Sequence, residues 1–534
     1  MPSDVDVLII GGGPTGMTMA LELAAQGVSF RILDKATSRS PYSRALVMQP
    51  RTLEVLKRHG SIEGLYEKGT SALGVTFAVK GNVVAKLEVG EAVQLPNTQA
   101  SLQLSICQDD TEEWLENALS QRGVKVEMGV TAESIVQDAE GVTVVTTRAD
   151  GSKEEIRTKY VVGGDGAHSA VRHAATNLTF DGEAYPQEFI LVDCRMETQH
   201  PSGRAHFCLG TGVMVVLPIV GGRSRIVVSR PGQDTTREPT VADFEDFMQE
   251  IFPGGGKIHD VTWLTRFRLH HRGVNNYRDG RLFVAGDAAH IHSPAGGQGM
   301  NTGIQDAVNL GWKLAAVLRG EKPDSFLDSY NAERHPVGQH LLKNTDKMFS
   351  YVTTTNPIII FLRNLILPWI LPLALQSNER IRNLFMFQSQ LRVRYRKSNI
   401  VGTAPGCEGL LRGGDRALDG KIKSDGDEDE KWLLDLFGPT SHHLVLFSGS
   451  GSKPATESEL RRAEDEFLGA AKDAVKVHTI FNEGHSGNSG YVDVGNDLHR
   501  VYGFNDAGYA LVRPDGYIAH IGPLTAVESA AEWL

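Results

Sequence analysis

Cysteine is scarce in this chain of 534 residues: Cys107, Cys194, Cys208 and Cys407 are its four, far apart and without a CxxC pair. That excludes a dithiol redox motif, a four-cysteine zinc site of ordinary spacing and a disulfide framework, and it suits a reducing, cytoplasmic setting. Runs of Lys or Arg are also missing, and the formal net charge is −11, which argues against a nucleic-acid partner. No basic segment with a following apolar stretch and cleavage pattern opens the chain, so no signal peptide is read. Nor is there an unbroken apolar run long enough to cross a bilayer. The nearest, Asn356 to Leu375 (NPIIIFLRNLILPWILPLAL), is interrupted by Arg363, Pro368 and Pro372 and reads as a buried or partner-facing helix without stable membrane insertion. No internal repeats are found. Hydrophobic content of 41% and charged content of 22% are those of a soluble globular protein. The length calls for two or three domains.

What is present begins at the N-terminus. Val5 to Ile10 is a short continuous apolar run of the parallel-strand kind. GGGPTG (Gly11 to Gly16) follows, then a helix with Met17, Ala20, Leu21 and Ala24 on one face, a closing Gly27, and a second strand Ser29 to Leu33 ending at Asp34. This βαβ unit carries G-x-G-x-x-G in its proper context. Its glycines let backbone approach a pyrophosphate, the helix N-terminus offers N–H donors, and the Asp34 carboxylate accepts from ribose hydroxyls. The motif leaves NAD, NADP and FAD open.

Two later turns extend the pattern. In VVGGDGAHSAVR (Val161 to Arg172), a strand Ile156 to Val162 ends in Gly163-Gly164-Asp165-Gly166 and a short helix carries Arg172. In RLFVAGDAAHIHSP, another strand ends at Gly286-Asp287. The helix after it is read as starting near Thr302, with Thr302 and Gln305 as a capping box, apolar Ile304, Val308, Ala315 and Leu318 on one face, and Gly320 closing it. Helical sequence continues to about Arg396. Alternating strands such as Val213 to Ile219 and Arg225 to Val228 place an antiparallel sheet between the two halves of the nucleotide-binding domain. Beyond Thr403 and the acidic loop SDGDEDE (Ser424 to Glu430) come a strand (His443 to Phe447), a helix (Glu457 to Ala474), a strand (Val475 to Phe481) and a hairpin (Gly508 to Gly522) turning at Pro514-Asp515-Gly516. That order describes a small separate domain.

GxGxxG, then DG, then GD, in this order and spacing, resembles the single-component flavoprotein aromatic hydroxylases of the para-hydroxybenzoate and phenol hydroxylase type, along essentially the whole chain. The resemblance implies an α/β fold with a Rossmann-like FAD-binding domain (1–180 and, with helices, 276–400). It also implies an inserted substrate sheet (181–275) and a thioredoxin-like domain (401–534). It implies non-covalent FAD held by Gly11, Gly13, Pro14, Thr15, Gly16, Asp34, Lys35 and Asp165. Gly286 and Asp287 would serve the ribityl chain, and the backbone from Gly297 through Gly299 and Met300 to Asn301 would lie by the pyrimidine edge. Arg44 (in SRALVMQPRTLEVLKRHG, with Arg51) and Gln108 (in CQDDTEEWL) match family positions beside the cofactor. The helix starting near Thr302 would aim positive potential at the flavin edge that gains charge on reduction.

The implied reaction uses NADPH or NADH, which visits without a domain of its own, and O2, giving a flavin C4a-hydroperoxide that attacks an electron-rich ring in a water-poor pocket. The substrate is a small phenolic or polyketide-like aromatic, approached by the backbone carbonyl of Pro294; no catalytic base is identified. His206, Phe207, Met214, Arg225 and RFRLHHRG (Arg266 to Gly273) are pocket candidates for which core packing or exposure is the better account. His290 and His292 lack a third ligand, so no metal is assigned. Baeyer–Villiger, epoxidising or dearomatising chemistry on the same fold stays open. A flavin-free dehydrogenase is disfavoured by the DG and GD motifs, and a non-catalytic flavin-binding protein by the intact flavin-side residues. The last domain has no cysteine after Cys407, which excludes redox and leaves packing, stability or dimerisation. A homodimer is a family-level expectation.

Overall fold

In a computed structural model the chain is a mixed α/β protein with three large sheets. The structure describes residues 4–42, 45–89, 94–200, 203–293, 296–405, 407, 411–424, 429–471, 475–483 and 490–534, with 344, 345, 347 and 348 described by backbone alone.

The first sheet has the strand Val5–Ile10 at its centre, paired in parallel with Phe30–Asp34 on one side and with Lys153–Gly163 on the other. Leu282–Val284 extends it beyond Lys153–Gly163, again in parallel. Strands that are apolar along their length belong in such a sheet because helices cover both faces. Here Val7, Leu8 and Ile9 are fully buried, and the fingerprint helix Pro14–Ala25 packs through Met17, Ala20 and Leu21. The carboxyl ends of all three motif strands consequently meet at one edge of the sheet. That is where ligands bind in this architecture.

The second sheet is built on two long strands, Phe180–Glu197 and Lys257–Val274, continued by Arg223–Ser229, Val213–Ile219 and Arg204–Leu209. It also takes in two strands from before residue 90, Gly74–Val79 and Asn82–Glu88. Alternation sorts its two faces. Ile190, Val192, Ile226 and Val228 pack under the helix Val241–Ile251, while Phe189, Val215, Val227 and Phe267 turn the other way and meet Phe349. The third sheet pairs His442–Phe447 with Val475–Phe481 in parallel around the helix Glu457–Ala470, then adds the Gly508–Val512/Ile518–Pro523 hairpin. The expected continuation of that helix fails at Ala471, which is extended; 472–474 lie outside the described residues, as does 425–428 of the acidic loop.

Two expectations need correction. The central helix runs Gly299–Leu318, with Gln298 at its N-cap, so it starts three residues before Thr302 and no capping box forms. Thr302 is inside the helix, its hydroxyl donating to Gln298 O at 2.8 Å and accepting from Gln390 Nε2 at 2.8 Å, and Gln305 also turns to Gln390. Tertiary partners consumed both polar side chains that local pattern had assigned to a cap. The helix Pro357–Ala374 forms as expected, and of the two alternatives, buried or partner-facing, the first fails: only Arg363 and Asn364 are buried.

Candidate functional site

The three glycine turns lock into one another. Gly11 has φ of +108°, and a Cβ there would sit 2.4 Å from Gly164 O, so the first and second motifs are in backbone contact. Gly286, at φ of +60°, and Gly303 each face the Thr15 hydroxyl; added Cβ atoms would lie 2.5 and 2.4 Å from it. Thr15 thus sits between the third motif and the central helix, a role that sequence reading did not give it. Gly13 differs, since a Cβ there meets nothing within 4 Å. It is also the N-cap of the fingerprint helix, with Pro14 next and no side-chain cap bond.

Charged groups surround this frame. Asp34 accepts from Gly12 N at 2.6 Å and, through its other oxygen, from Ala36 N at 2.8 Å, so its carboxylate is fixed at the end of the second strand; Lys35 beside it is exposed. Asp165 Oδ2 accepts from Ala170 N at 2.6 Å, while Oδ1 is buried without a hydrogen-bond partner among the described residues. Burial pushes its carboxyl above the ordinary range. Asp287 is exposed within the turn Gly286–Ala288. Gln108 begins the helix Gln108–Ser120, its Oε1 accepting from Ala45 N at 3.1 Å and its Nε2 donating to Glu112 at 2.8 Å. Arg51 lies in the first turn of the helix Pro50–Lys57. Arg44 and Pro294 lie outside the described residues.

At the start of the central helix, Asn301 is fully buried. Its Oδ1 accepts from Gln49 N at 2.8 Å and its Nδ2 donates to Val47 O and Gly297 O at 2.8 and 2.7 Å. A Cβ on Gly297, at φ of +59°, would press on Val47 at 2.8 Å. This clasp holds Gly297, Gly299 and the partly buried Met300 in place, and leaves the first turn of the helix without a side-chain cap. His292 stands beside Gly299, its Nδ1 bonded to Ser293 O at 2.8 Å and its Nε2 buried without a partner among the described residues. Burial, with His290 adjacent, pushes the His292 imidazole down to about 4, so it is neutral.

Several supporting residues escaped the sequence. Asp306 accepts from Gly286 N at 3.0 Å, from His290 Nε2 at 2.8 Å and from Arg334 Nε at 2.7 Å, all of them buried. Burial opposes its ionisation, yet Arg334 and His290 hold its carboxyl below the ordinary range. Arg172 ties the second motif to the third by donating to Ala288 O at 2.9 Å. No local pattern marks these contacts, because a helical side chain and a turn meet through folding alone.

A further network joins the frame to the third sheet. Glu333, fully enclosed, accepts from Lys313 at 2.8 Å, Asn309 at 2.7 Å, Ser398 at 2.7 Å and both ends of the Arg513 guanidinium at 2.7 and 2.9 Å. Burial pushes the Lys313 ammonium down to about 8 despite the Glu333 charge. Arg51 reaches the Asp515 carbonyl at 2.8 Å. Of the pocket candidates, Met214 and His206 are buried in the sheet, Phe207 is exposed, and Arg225 makes a buried bidentate pair with Asp193 at 2.8 and 2.7 Å.

An uncapped helix N-terminus beside an open Gly13, an Asp165 oxygen without a partner and glycines that no larger residue could replace all suit a long phosphate-bearing dinucleotide. Residues 4–345 match the family described as FAD binding domain, and the chain belongs to that family. It is an FAD-dependent monooxygenase. It is 31% identical to 6-methylpretetramide 4-monooxygenase of Streptomyces rimosus, across 98% of this chain and 92% of that one. With pentachlorophenol 4-monooxygenase of Sphingobium chlorophenolicum it shares 30% identity, across 97% and 93%. The crystal structure of an aromatic hydroxylase from angucycline biosynthesis superposes with a TM-score of 0.73 at 29% identity, covering 97% of this chain and 96% of that one.

Proposed function

We propose that the protein inserts one oxygen atom from O2 into a phenolic or polyketide-like aromatic substrate, with NAD(P)H as electron donor. The observation that carries this reading is the convergence of three glycine turns on one sheet edge, beside a second sheet with an apolar inner face. FAD, when bound, supplies the redox and oxygen-transfer chemistry. The chain's own residues do the rest. The Gly13 helix start would hold the pyrophosphate, Asp34 the adenosine ribose, and Asp165 and Asp287 the stretch between, while Pro294 would present its carbonyl to the substrate. The first turn of the central helix, clasped by Asn301, would direct N–H dipoles at the flavin edge where negative charge gathers. Phe189, Phe267 and Phe349 would line a water-poor space for an aromatic ring, and the neutral His292 adds no charge there.

On this reading residues 1–180 and 276–400 carry the cofactor, 181–275 with the strands before residue 90 shape the pocket, and 401–534 form a thioredoxin-like domain. That last domain, with no cysteine beyond Cys407, has a packing role through Glu333 and Arg513. The test is aerobic NADPH consumption by the FAD-loaded protein with a panel of mono- and polycyclic phenols, under ¹⁸O2, with products weighed by mass spectrometry. Substrate-stimulated consumption and one labelled oxygen are expected. A flavin-loaded protein that leaves NADPH and NADH unconsumed with every phenol would overturn the reading.

A further inference from the structure

The helix Pro357–Ala374 spans 18 residues, about 27 Å, and presents a face that a soluble protein ordinarily covers. Ile358, Phe361, Leu362, Leu365, Trp369 and Leu373 are all exposed, Trp369 to 76% and Ile358 to 69%. Apart from the adjacent Phe361 and Leu362 they recur every three or four residues, so they form a single stripe along the helix. The opposite side is anchored. Arg363 and Asn364 are buried and donate to Gly210 O at 2.8 and 2.9 Å, and Arg363 also reaches Val352 O. The following helix, Asn378–Gln388, adds exposed Leu384 and Phe387.

Charge selects the occupant. Residues 376–397 hold Arg380, Arg382, Arg392, Arg394, Arg396 and Lys397 against the single acid Glu379, a local net charge of +5 in a chain of −11. All six cations are exposed, and among the described residues Arg394 and Arg396 share an acidic partner, Asp415. A second copy of the chain would bring the same stripe and the same cations, with no matching acidic surface on these helices. An anionic bilayer supplies both an apolar layer for the stripe and negative headgroups for the basic segment, and a tryptophan-bearing helix with cations at its flank suits that interface. Crossing the bilayer is a different matter. It would tear Arg363 from Gly210 and place a guanidinium in hydrocarbon.

We propose that the helix Pro357–Ala374 and the basic segment after it dock the protein on an anionic lipid bilayer, lying in the plane of the interface. The inference does not depend on the substrate assigned above. Its test is co-sedimentation of the FAD-loaded full chain with phosphatidylcholine vesicles, with and without about one third phosphatidylserine. Binding at least about tenfold stronger to the anionic vesicles is expected, with a blue shift in tryptophan emission that Trp369→Phe abolishes. The pair Leu365→Glu/Trp369→Glu changes only exposed positions, so it keeps flavin content and circular dichroism while losing vesicle binding at least about tenfold. Failure to pellet with either vesicle, or equal binding to both, overturns the proposal. So does a concentration-dependent dimer that the paired substitution converts to monomer in the absence of vesicle binding, which would assign the stripe to a second copy.

Discussion

The edge of the first sheet and the interior of the third bury polar groups in opposite ways. Around the glycine turns, the Gly13 helix start has no side-chain cap and Asp165 Oδ1 no partner among the described residues. In the third sheet comparable groups close on each other: Asp493 with His499 at 2.8 Å, His443 with His478 at 3.0 Å, Tyr509 with His520 at 2.7 Å. The first arrangement is a frame whose hydrogen bonds are completed by something bound. The second is a scaffold in which these buried groups pair with one another, although Ser441 Oγ and Tyr517 Oη find no partner among the described residues. Substitutions at the open groups of the frame, Gly13 and Asp165, should therefore weaken cofactor binding with little loss of stability, and those in the scaffold should do the reverse.

The strongest challenge to this contrast is Glu333→Ala, at the junction of the two regions. It leaves Lys313 and Arg513 buried without their shared carboxylate, and a loss of about 3–5 kcal/mol is expected in urea unfolding. A variant as stable as the parent would show that the third sheet docks without this network.

Acid should separate the regions next. Burial pushes His442 and His443 down to about 3 and His478 and His520 to about 4. Between about 6.5 and 4 the unfolded chain takes up these protons and the folded sheet does not. Stability is therefore full above 6.5 and falls as pH drops toward 4, by about 1–3 kcal/mol per imidazole. Hydrogen exchange should show protection fading in Gly508–Val512 before Val5–Ile10. Simultaneous loss would argue that the two sheets unfold as one unit.

Gly13→Ala sharpens the contrast from the other side. The added methyl meets nothing in the protein, so the melting temperature should hold, while FAD affinity, read from flavin fluorescence, drops about tenfold, or 1.4 kcal/mol. Unchanged FAD affinity would remove Gly13 from the site. The smallest effect is expected of Thr302→Ala, about 1 kcal/mol of stability from its bonds to Gln298 and Gln390. A larger loss, with fraying at Gly299 seen by hydrogen exchange, would restore the capping role that the structure denies it.

Much of the frame was legible in the chain. Val5–Ile10, the fingerprint helix, the hairpin at Asp515 and the GD turn all follow from apolar period and turn chemistry, which act over a few residues. The start of the central helix was misplaced because GGQG carries no side-chain cap signal, and Thr302 and Gln305 offered a false one. The exposure of Pro357–Ala374 was hidden for a related reason: composition marks a helix as apolar but says nothing about what lies against it.

By itself, then, the sequence determined where strands and helices form and that three glycine turns of dinucleotide-binding type exist. These depend on local sterics, hydrogen-bonding capacity and periodicity. Only the tertiary structure decided that Thr15 sits between Gly286 and Gly303, that Asp306 holds the third turn and that Glu333 joins the central helix to Arg513. Each of these contacts unites residues far apart in the chain, and their meeting is set by how the sheets and helices pack.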